Sequence, residues 1–196
     1  MAFQRVKELY QEYGNHKYMI SENITQISHV IQAAKLAEKY GAPNCVIIGL
    51  LLHDIGQLII QSRSSSEVDI NTLHAQHDDV GADWLQSQGF GKIVCDIVRY
   101  HTFAKVVLIE RDPQYLSRLS QASQDSYLIQ KEKYRNHDRS VITELHIACR
   151  IIDDISKLPD EIYDIEDLES YREMFYQVLS TDPKLPKFSR FLGPIL

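Results

Sequence analysis

The stretch from Asn44 to Ile60 reads NCVIIGLLLHDIGQLII, and its reading decides the fold. Val46, Ile47, Ile48, Leu50, Leu51 and Leu52 leave no polar side to a helix, and a helix that is apolar all round belongs in an interior. The pattern predicts one central helix over about Asn44 to Ile60. Within it stand His53 and Asp54. A buried carboxylate without a partner costs several kcal/mol or is driven neutral, and a metal ion is one of the few partners that compensates it fully. Adjacent helical positions diverge by about 100°, so His53 can ligate one metal while Asp54 bridges toward a second. Taken alone, the pair reads equally as a His and an Asp bonded to each other or to solvent.

Working outward, helical periodicity dominates, and nowhere do Val, Ile and Thr alternate with polar residues long enough to build a sheet. The chain is expected to be all-α. A helix is predicted from about Ser21, as N-cap, to Tyr40, where Gly41 and Pro43 stop it. The polar run Gln61 to Thr72 reads as a surface loop, followed by helices at about Ala75 to Ser87 and Gly91 to Phe103. Asp112 to Asp138 reads as a looser excursion over the surface, able to shape a pocket rim. A last core helix is predicted over Arg139 to Lys157 and a further one over Ile165 to Ser180. The expectation is a single helical domain over 1–196, with its core at about 21–158 and a C-terminal helix and tail at 159–196.

With 196 residues, 44% hydrophobic and 24% charged, the chain is long enough to fold without metal or disulfide staples, so a metal would serve chemistry. Lys plus Arg number 21 against 27 Asp plus Glu, a net charge of −6, which is the wrong sign for a phosphate-backbone binder. No nucleic-acid partner is expected. No run of 18 apolar residues is present and Met1 to Gly14 is polar, so neither a membrane partner nor a signal peptide is expected, and the location is expected to be cytoplasmic. Cys45, Cys95 and Cys149 lack a paired zinc spacing and read as small buried hydrophobes.

The eight histidines carry the chemistry. His29 lies on the helix before the central one, sharing a stripe with Gln26 and Glu22; alone it reads as a packed core histidine. His77 opens a later helix, His101 closes the next, and Asp153 and Asp154 sit in the last core helix. The order His29, His53-Asp54, His77, His101 and an Asp of the 153/154 pair gives each donor from a different helix. This nitrogen and oxygen set suits two iron, manganese or zinc ions better than magnesium or calcium. A helical wheel places Asp154 at least as close as Asp153 to the apolar stripe of Ile147, Ile151, Ile155 and Leu158. His74 is a reserve for His77, read as a loop residue; His16, His74 and His137 read as exposed and His146 as packed or capping. Lys105 follows His101 by four, and Arg150 and Lys157 flank Asp153 at i−3 and i+4, so three cations ring the metals. Such a lining suits a small anion, a phosphonate or phosphate best. The bland alternative is that Arg150 and Lys157 pair with acidic residues on a solvated helix face.

From Glu22 to Lys157 the pattern resembles the HD-domain superfamily of helical metalloproteins, whose minimal signature falls on His29, His53, Asp54 and Asp153. The finer text is similar to the di-iron oxygenase branch typified by 2-amino-1-hydroxyethylphosphonate dioxygenase. The matching pieces are Glu22, Gln26 and His29; His77 with Gly81, Ala82, Trp84 and Leu85; His101 with Ala104 and Lys105; Leu119, Ser120, Ala122 and Ser123; and Arg150, Asp153 and Lys157. The resemblance implies an HD-type helical bundle with a buried dimetal site. It implies that His29, His53, Asp54 and Asp153 hold one iron and Asp54, His77 and His101 the other, with Asp54 as the bridge and Asp153 chosen over Asp154.

It implies further a mixed-valent Fe(II)/Fe(III) centre with O2 as co-substrate, cleaving the carbon-phosphorus bond of a small hydroxylated aminophosphonate. Lys105, Ser123 and Arg150 would contact the phosphonate, Gln26 and Lys157 would line the site, and Glu22 would hold the substrate ammonium. Tyr18 is the candidate for a tyrosine that caps an iron. Gln57 stands where the branch usually carries a second His that reaches the phosphonate, and Val106, Val107 and Leu108 replace the usual Arg-Tyr-Leu. The rival reading is an HD-type phosphohydrolase acting on a nucleotide or other phosphate ester, in which the same metals lower the pKa of a water. A catalytically idle metal-binding module is the third class. A monomer or a homodimer is expected.

Overall fold

In the computed structural model, which describes residues 2–15, 23–64 and 68–180, helices follow one another without a strand among the described residues. They are α1 (Ala2–Tyr13), α2 (Gln26–Lys39), α3 (Asn44–Leu51), α4 (Ile55–Arg63), α5 (Ile70–Ser87) and α6 (Lys92–Arg111). Then come α7 (Gln121–Lys133), α8 (Glu144–Ile155), α9 (Ile165–Glu169) and α10 (Arg172–Ser180), with 3-10 turns at Pro113–Arg118 and Arg139–Val141. Caps set several starts: the Thr25 side chain accepts from the Ser28 amide at 3.2 Å, Asp69 from Thr72 at 3.0 Å and Ser120 from Ser123 at 3.3 Å. The Ser21 start expected for α2 lies outside the described residues, and Thr25 is the cap.

The central helix expected over Asn44 to Ile60 is two helices. It breaks at Leu52 to Asp54 because two carbonyls leave the i to i+4 ladder. Leu50 gives its oxygen to His53 Nδ1 at 2.7 Å instead of to the Asp54 amide, and Leu51 gives its own to the Tyr10 hydroxyl at 3.3 Å. Ile55 and Gln57 then restart the chain with tighter bonds to Leu52 and Asp54, at 3.0 and 2.9 Å. The break turns His53 and Asp54 together toward the interior. Every side chain of α3 from Cys45 to Leu51 is buried. The segment Asn44–Arg63 is long and apolar enough to cross a membrane by length and composition, and 83% of its most apolar window is buried within the protein.

Around this pair, α5 packs on α4 and α6, α2 on α3 and α8, and α6 on α8. The apolar core extends beyond 21–158: Phe3, Val6, Leu9 and Tyr10 of α1 join it, as do Leu168, Tyr171, Phe175 and Val178. Polar Met1 to Gly14 therefore conceals an amphipathic helix. Asp112 to Asp138, expected as a surface excursion, holds α7, which packs on α5 and α6. A second apolar cluster, with Phe103, Val107, Tyr127, Tyr134 and Ile147, joins α6, α7 and α8. Burying each such large side chain contributes about 1.5–3 kcal/mol. Cys45, Cys95 and Cys149 are buried free thiols.

Candidate metal centre

Six side chains from five separate places in the chain meet in the middle of this bundle. His29 comes from α2, His53 and Asp54 from the α3/α4 break, His77 from α5, His101 from α6 and Asp153 from α8, and all are buried. Each imidazole donates its Nδ1 hydrogen to a backbone carbonyl: His29 to Ser156 at 2.8 Å, His53 to Leu50 at 2.7 Å, His77 to Leu73 at 2.8 Å and His101 to Val98 at 2.6 Å. That commits four Nε2 lone pairs to one place, the orientation that metal-ligating histidines adopt.

The Nε2 atoms converge in two pairs, His29 with His53 at 3.1 Å and His77 with His101 at 3.0 Å. Asp153 Oδ1 stands 3.2 Å from His29 Nε2, and its Oδ2 stands 3.6 Å from His53 Nε2. Asp54 lies between the pairs: Oδ2 is 3.3 Å from His53 and 3.8 Å from His29, while Oδ1 is 3.5 Å from both His77 and His101. Two groups able to hold a metal ion result, His29 with His53 and Asp153, and Asp54 with His77 and His101.

The residues fit such ions. None of the four carboxylate oxygens of Asp54 and Asp153 accepts a hydrogen bond, although all are buried. Burial would raise the Asp54 carboxyl, but His53, His101 and His77 outweigh it and hold the group well below the usual carboxylate range. For Asp153 burial is likewise overcome, by Arg150 and His53. Two ionised carboxylates without hydrogen-bond partners, facing four imidazole Nε2 atoms, form a donor set for borderline divalent or trivalent metals.

Arg150 stands 2.8 Å from Asp153 through Nη1, and it also binds Asp154, by Nε at 2.9 Å and by Nη2. Asp154 faces away from the histidines, toward Arg150 and the Tyr115 hydroxyl at 2.9 Å. Arg150 is buried, so its ion pairs are not those of a solvated helix face. Beside it Lys105, also buried, donates to the Ser123 carbonyl at 3.1 Å and to Ser126 Oγ at 2.8 Å, and Lys157 reaches Ser123 Oγ at 3.1 Å. Burial, reinforced by the charges of Arg150 and Lys157, pushes the Lys105 ammonium well below the usual lysine range.

Lys105 and Arg150 line a cavity of about 30 Å³ whose wall also includes His77, His101, Gln57, Ser123, Ser126 and Gln130. Gln57 accepts from Gln26 Nε2 at 2.7 Å, so the two expected contacts form one polar pair. Tyr18 and Glu22 lie outside the described residues, as does His16. His74 is not the exposed loop residue expected: α5 begins at Ile70, and this places His74, buried, in the cavity wall.

Sequence reasoning also missed Ser126 and Gln130, both buried on α7, and the buried Asp78. Asp78 accepts hydrogen bonds from the Thr102 and Tyr134 hydroxyls and from Lys133 Nζ, the last at 2.6 Å. It follows His77 directly as Thr102 follows His101, and it ties α5 to α6 and to the end of α7. The signal for Ser126 and Gln130 was their spacing from Ser123, at i+3 and i+7 on one helical face. His137 is exposed, while His146 caps α8 by accepting from the Thr143 amide at 3.2 Å.

The HD-domain family profile matches residues 27–158, a span that contains His29, the His53-Asp54 pair and Asp153. An uncharacterised protein of Acanthamoeba polyphaga mimivirus is 33% identical over 178 residues, 88% of this chain and 79% of its own. The [1-hydroxy-2-(trimethylamino)ethyl]phosphonate dioxygenase (glycine-betaine-forming) of Leisingera caerulea is 33% identical over 157 residues, 78% of each chain. The hydroxymethylphosphonate dioxygenase of Gimesia maris is 37% identical over 123 residues, 63% of this chain and 59% of that protein. With two thirds of its length matched by one profile and the signature residues gathered at one buried point, the chain belongs to the HD-domain family, and its kin there include phosphonate dioxygenases.

Proposed function

We propose that this protein is a phosphonate-cleaving oxygenase that uses O2 and two iron ions to break the carbon-phosphorus bond of a small hydroxylated aminophosphonate, releasing phosphate. The observation that carries this reading is the sharing of Asp54 by two imidazole pairs, one of which, His77 and His101, forms a wall of the cation-lined cavity. The names of the Leisingera and Gimesia relatives support the same chemistry.

In this reading His29, His53 and Asp153 would hold one iron, His77 and His101 the other, and Asp54 would be shared between them. When bound, the irons supply Lewis acidity and the activation of O2. Lys105, Ser123 and Arg150 hold the phosphonate oxygens, and Lys157, on Ser123, keeps that hydroxyl aimed. Arg150 has a second task, since its ion pairs with Asp153 and Asp154 orient a metal ligand and the anion site together. Gln57, pinned by Gln26, offers a neutral amide to the substrate. Glu22 would hold the substrate ammonium, and Tyr18 would be the tyrosine that caps an iron. The full chain acts as one catalytic domain in the cytoplasm, as a monomer or homodimer.

The hydrolase reading uses the same donors, with the metals lowering the pKa of a water, and differs in needing no O2. The deciding experiment measures iron content, then O2 uptake and phosphate release with 2-amino-1-hydroxyethylphosphonate, hydroxymethylphosphonate and 1-hydroxy-2-(trimethylamino)ethylphosphonate. Phosphate release tied to O2 uptake is expected for at least one of the three. Anaerobic phosphate release from nucleotides, with no O2 uptake on any phosphonate, overturns the reading in favour of hydrolysis.

A further inference from the structure

Among the described residues, the buried side-chain oxygens that accept no hydrogen bond belong to Asp54, Asp153, Gln26 and Gln130. The two carboxylates face the metal positions, and Gln26, whose Nε2 donates to Gln57, is not part of the cavity wall. Gln130 is left without a role. Its side chain is 2% exposed and stands in the wall of the cavity with Lys105, Arg150, Ser123 and Ser126. A buried carbonyl without a donor loses its hydration and gains nothing in the free protein, so its partner is to be sought in what fills the cavity.

The neighbouring groups give the chemistry of that partner. Lys105 and Arg150 draw an oxyanion, and a fully ionised oxyanion offers the Gln130 carbonyl only acceptors. The carbonyl gains a bond when one oxygen of the anion keeps its proton. Phosphate-type groups have a second pKa of about 6, so a singly protonated form is populated in the neutral range, whereas sulfate has no proton to give.

We propose that Gln130 is a substrate-contacting, specificity-determining residue whose carbonyl accepts the P–OH proton of a singly protonated phosphonate, so that the cavity selects a proton-bearing tetrahedral anion over a sulfate-like one. The inference rests on the reading of this cavity as the phosphonate site. Gln130 reaches it because Ser123, Ser126 and Gln130 share one face of α7, and the first two are fastened to Lys105.

The test is calorimetric binding of inorganic phosphate and of sulfate at pH 6 to the metal-loaded protein without O2, in wild type, Gln130→Leu and Gln130→Glu. Wild type is expected to favour phosphate over sulfate; Gln130→Leu, lacking the acceptor, should shrink that preference about tenfold, and Gln130→Glu should retain it. The metals' own preference is common to all three proteins and cancels in the comparison. Should Gln130→Leu fail to fold, Gln130→Met, closer in length, serves the same comparison. An unchanged ratio in the leucine or methionine variant, as a buried water on the carbonyl would give, overturns the proposal, and so does a wild type that binds neither anion. Turnover separates the two readings: C–P cleavage with an unchanged ratio overturns only the role of Gln130, while a Gln130-dependent ratio without C–P cleavage overturns only the proposed reaction.

Discussion

His29 and His53 face each other Nε2 to Nε2 at 3.1 Å, and each ring has its Nδ1 hydrogen committed to a carbonyl. Two lone pairs at that distance repel unless a proton or a metal lies between them. Burial lowers the pKa of His53, but Asp54 and Asp153 outweigh it and raise the ring to about 9. In the metal-free protein the proton therefore does the work of the ion. Metal binding at pH 7 should release at least one proton, seen as a buffer-dependent heat in calorimetry, and affinity should rise from pH 6 to 9. The stability consequence has a definite sign. The folded pKa of His53 lies above the ordinary value of 6.5, so its contribution is complete below pH 6.5 and is lost as pH rises through about 9. Chelator-treated protein should melt lower at pH 9 than at pH 7, and metal-loaded protein should not.

Among the described residues, Asp54 is the one whose carboxylate lies within 4 Å of all four imidazoles. Asp54→Asn should reduce bound metal from about two ions per chain to one or fewer and lower activity by roughly 10³-fold. Metal analysis of the purified variant checks this, and a full complement of metal in the variant would remove Asp54 as the bridge.

Lys105 is buried among cations and held by Ser123 and Ser126. Lys105→Met should raise KM for a phosphonate about 10- to 100-fold, the worth of a hydrogen bond to a charged group, while the folded protein stays as stable or gains. Arginine does not substitute, because its longer, planar fork does not fit the place of a single ammonium between two serines. Steady-state kinetics and a thermal melt separate the two effects.

Gly56 sets the distance between α4 and α5. A Cβ there would collide with the carbonyl oxygen of His77, a backbone atom that cannot swing aside. Gly56→Ala should cost about 3 kcal/mol or displace α5 with its histidine. Chemical denaturation reads the first outcome, and loss of the ion shared by His77 and His101 reads the second.

The all-helical class and five of the six donors were legible because they rest on local patterns: an apolar run around His53-Asp54 and single histidines on successive helices. What stayed hidden depends on contacts distant in sequence. At the break from Leu52 to Asp54, Tyr10, 41 residues away, takes the Leu51 carbonyl, alongside the local bond from His53 Nδ1 to Leu50. Helix α7 was read as surface because its segment carries Pro113 and the mixed polar and charged run from Gln130 to Arg139; its buried face is largely polar, Ser123, Ser126 and Gln130, and meets the buried Lys105. His74 was misplaced for a simpler reason, since α5 begins a full turn earlier than its apolar pattern. The wheel put Asp154 at least as close to the apolar stripe as Asp153; Arg150 and Tyr115 take Asp154 and leave Asp153 to face the histidines.

His146 offers a pH dependence well away from the metals. Its Nδ1 accepts the Thr143 amide at 3.2 Å and completes the capping box of α8, which requires an unprotonated nitrogen. Burial lowers its pKa to about 4, against 6.5 in the unfolded chain. Between those values the unfolded state holds a proton that the folded state does not, so stability is complete above pH 6.5 and falls as pH drops toward 4. The loss is bounded at about 3 kcal/mol, and the bond to Thr143 is worth about 1 of these. His146→Gln keeps a carbonyl acceptor and removes the titration. Its unfolding free energy, measured by urea denaturation from pH 7 to 4, should lack the wild-type slope in that window even where its value at pH 7 is slightly lower. A slope as steep as that of wild type would assign the acid sensitivity to other groups and leave His146 as packing alone.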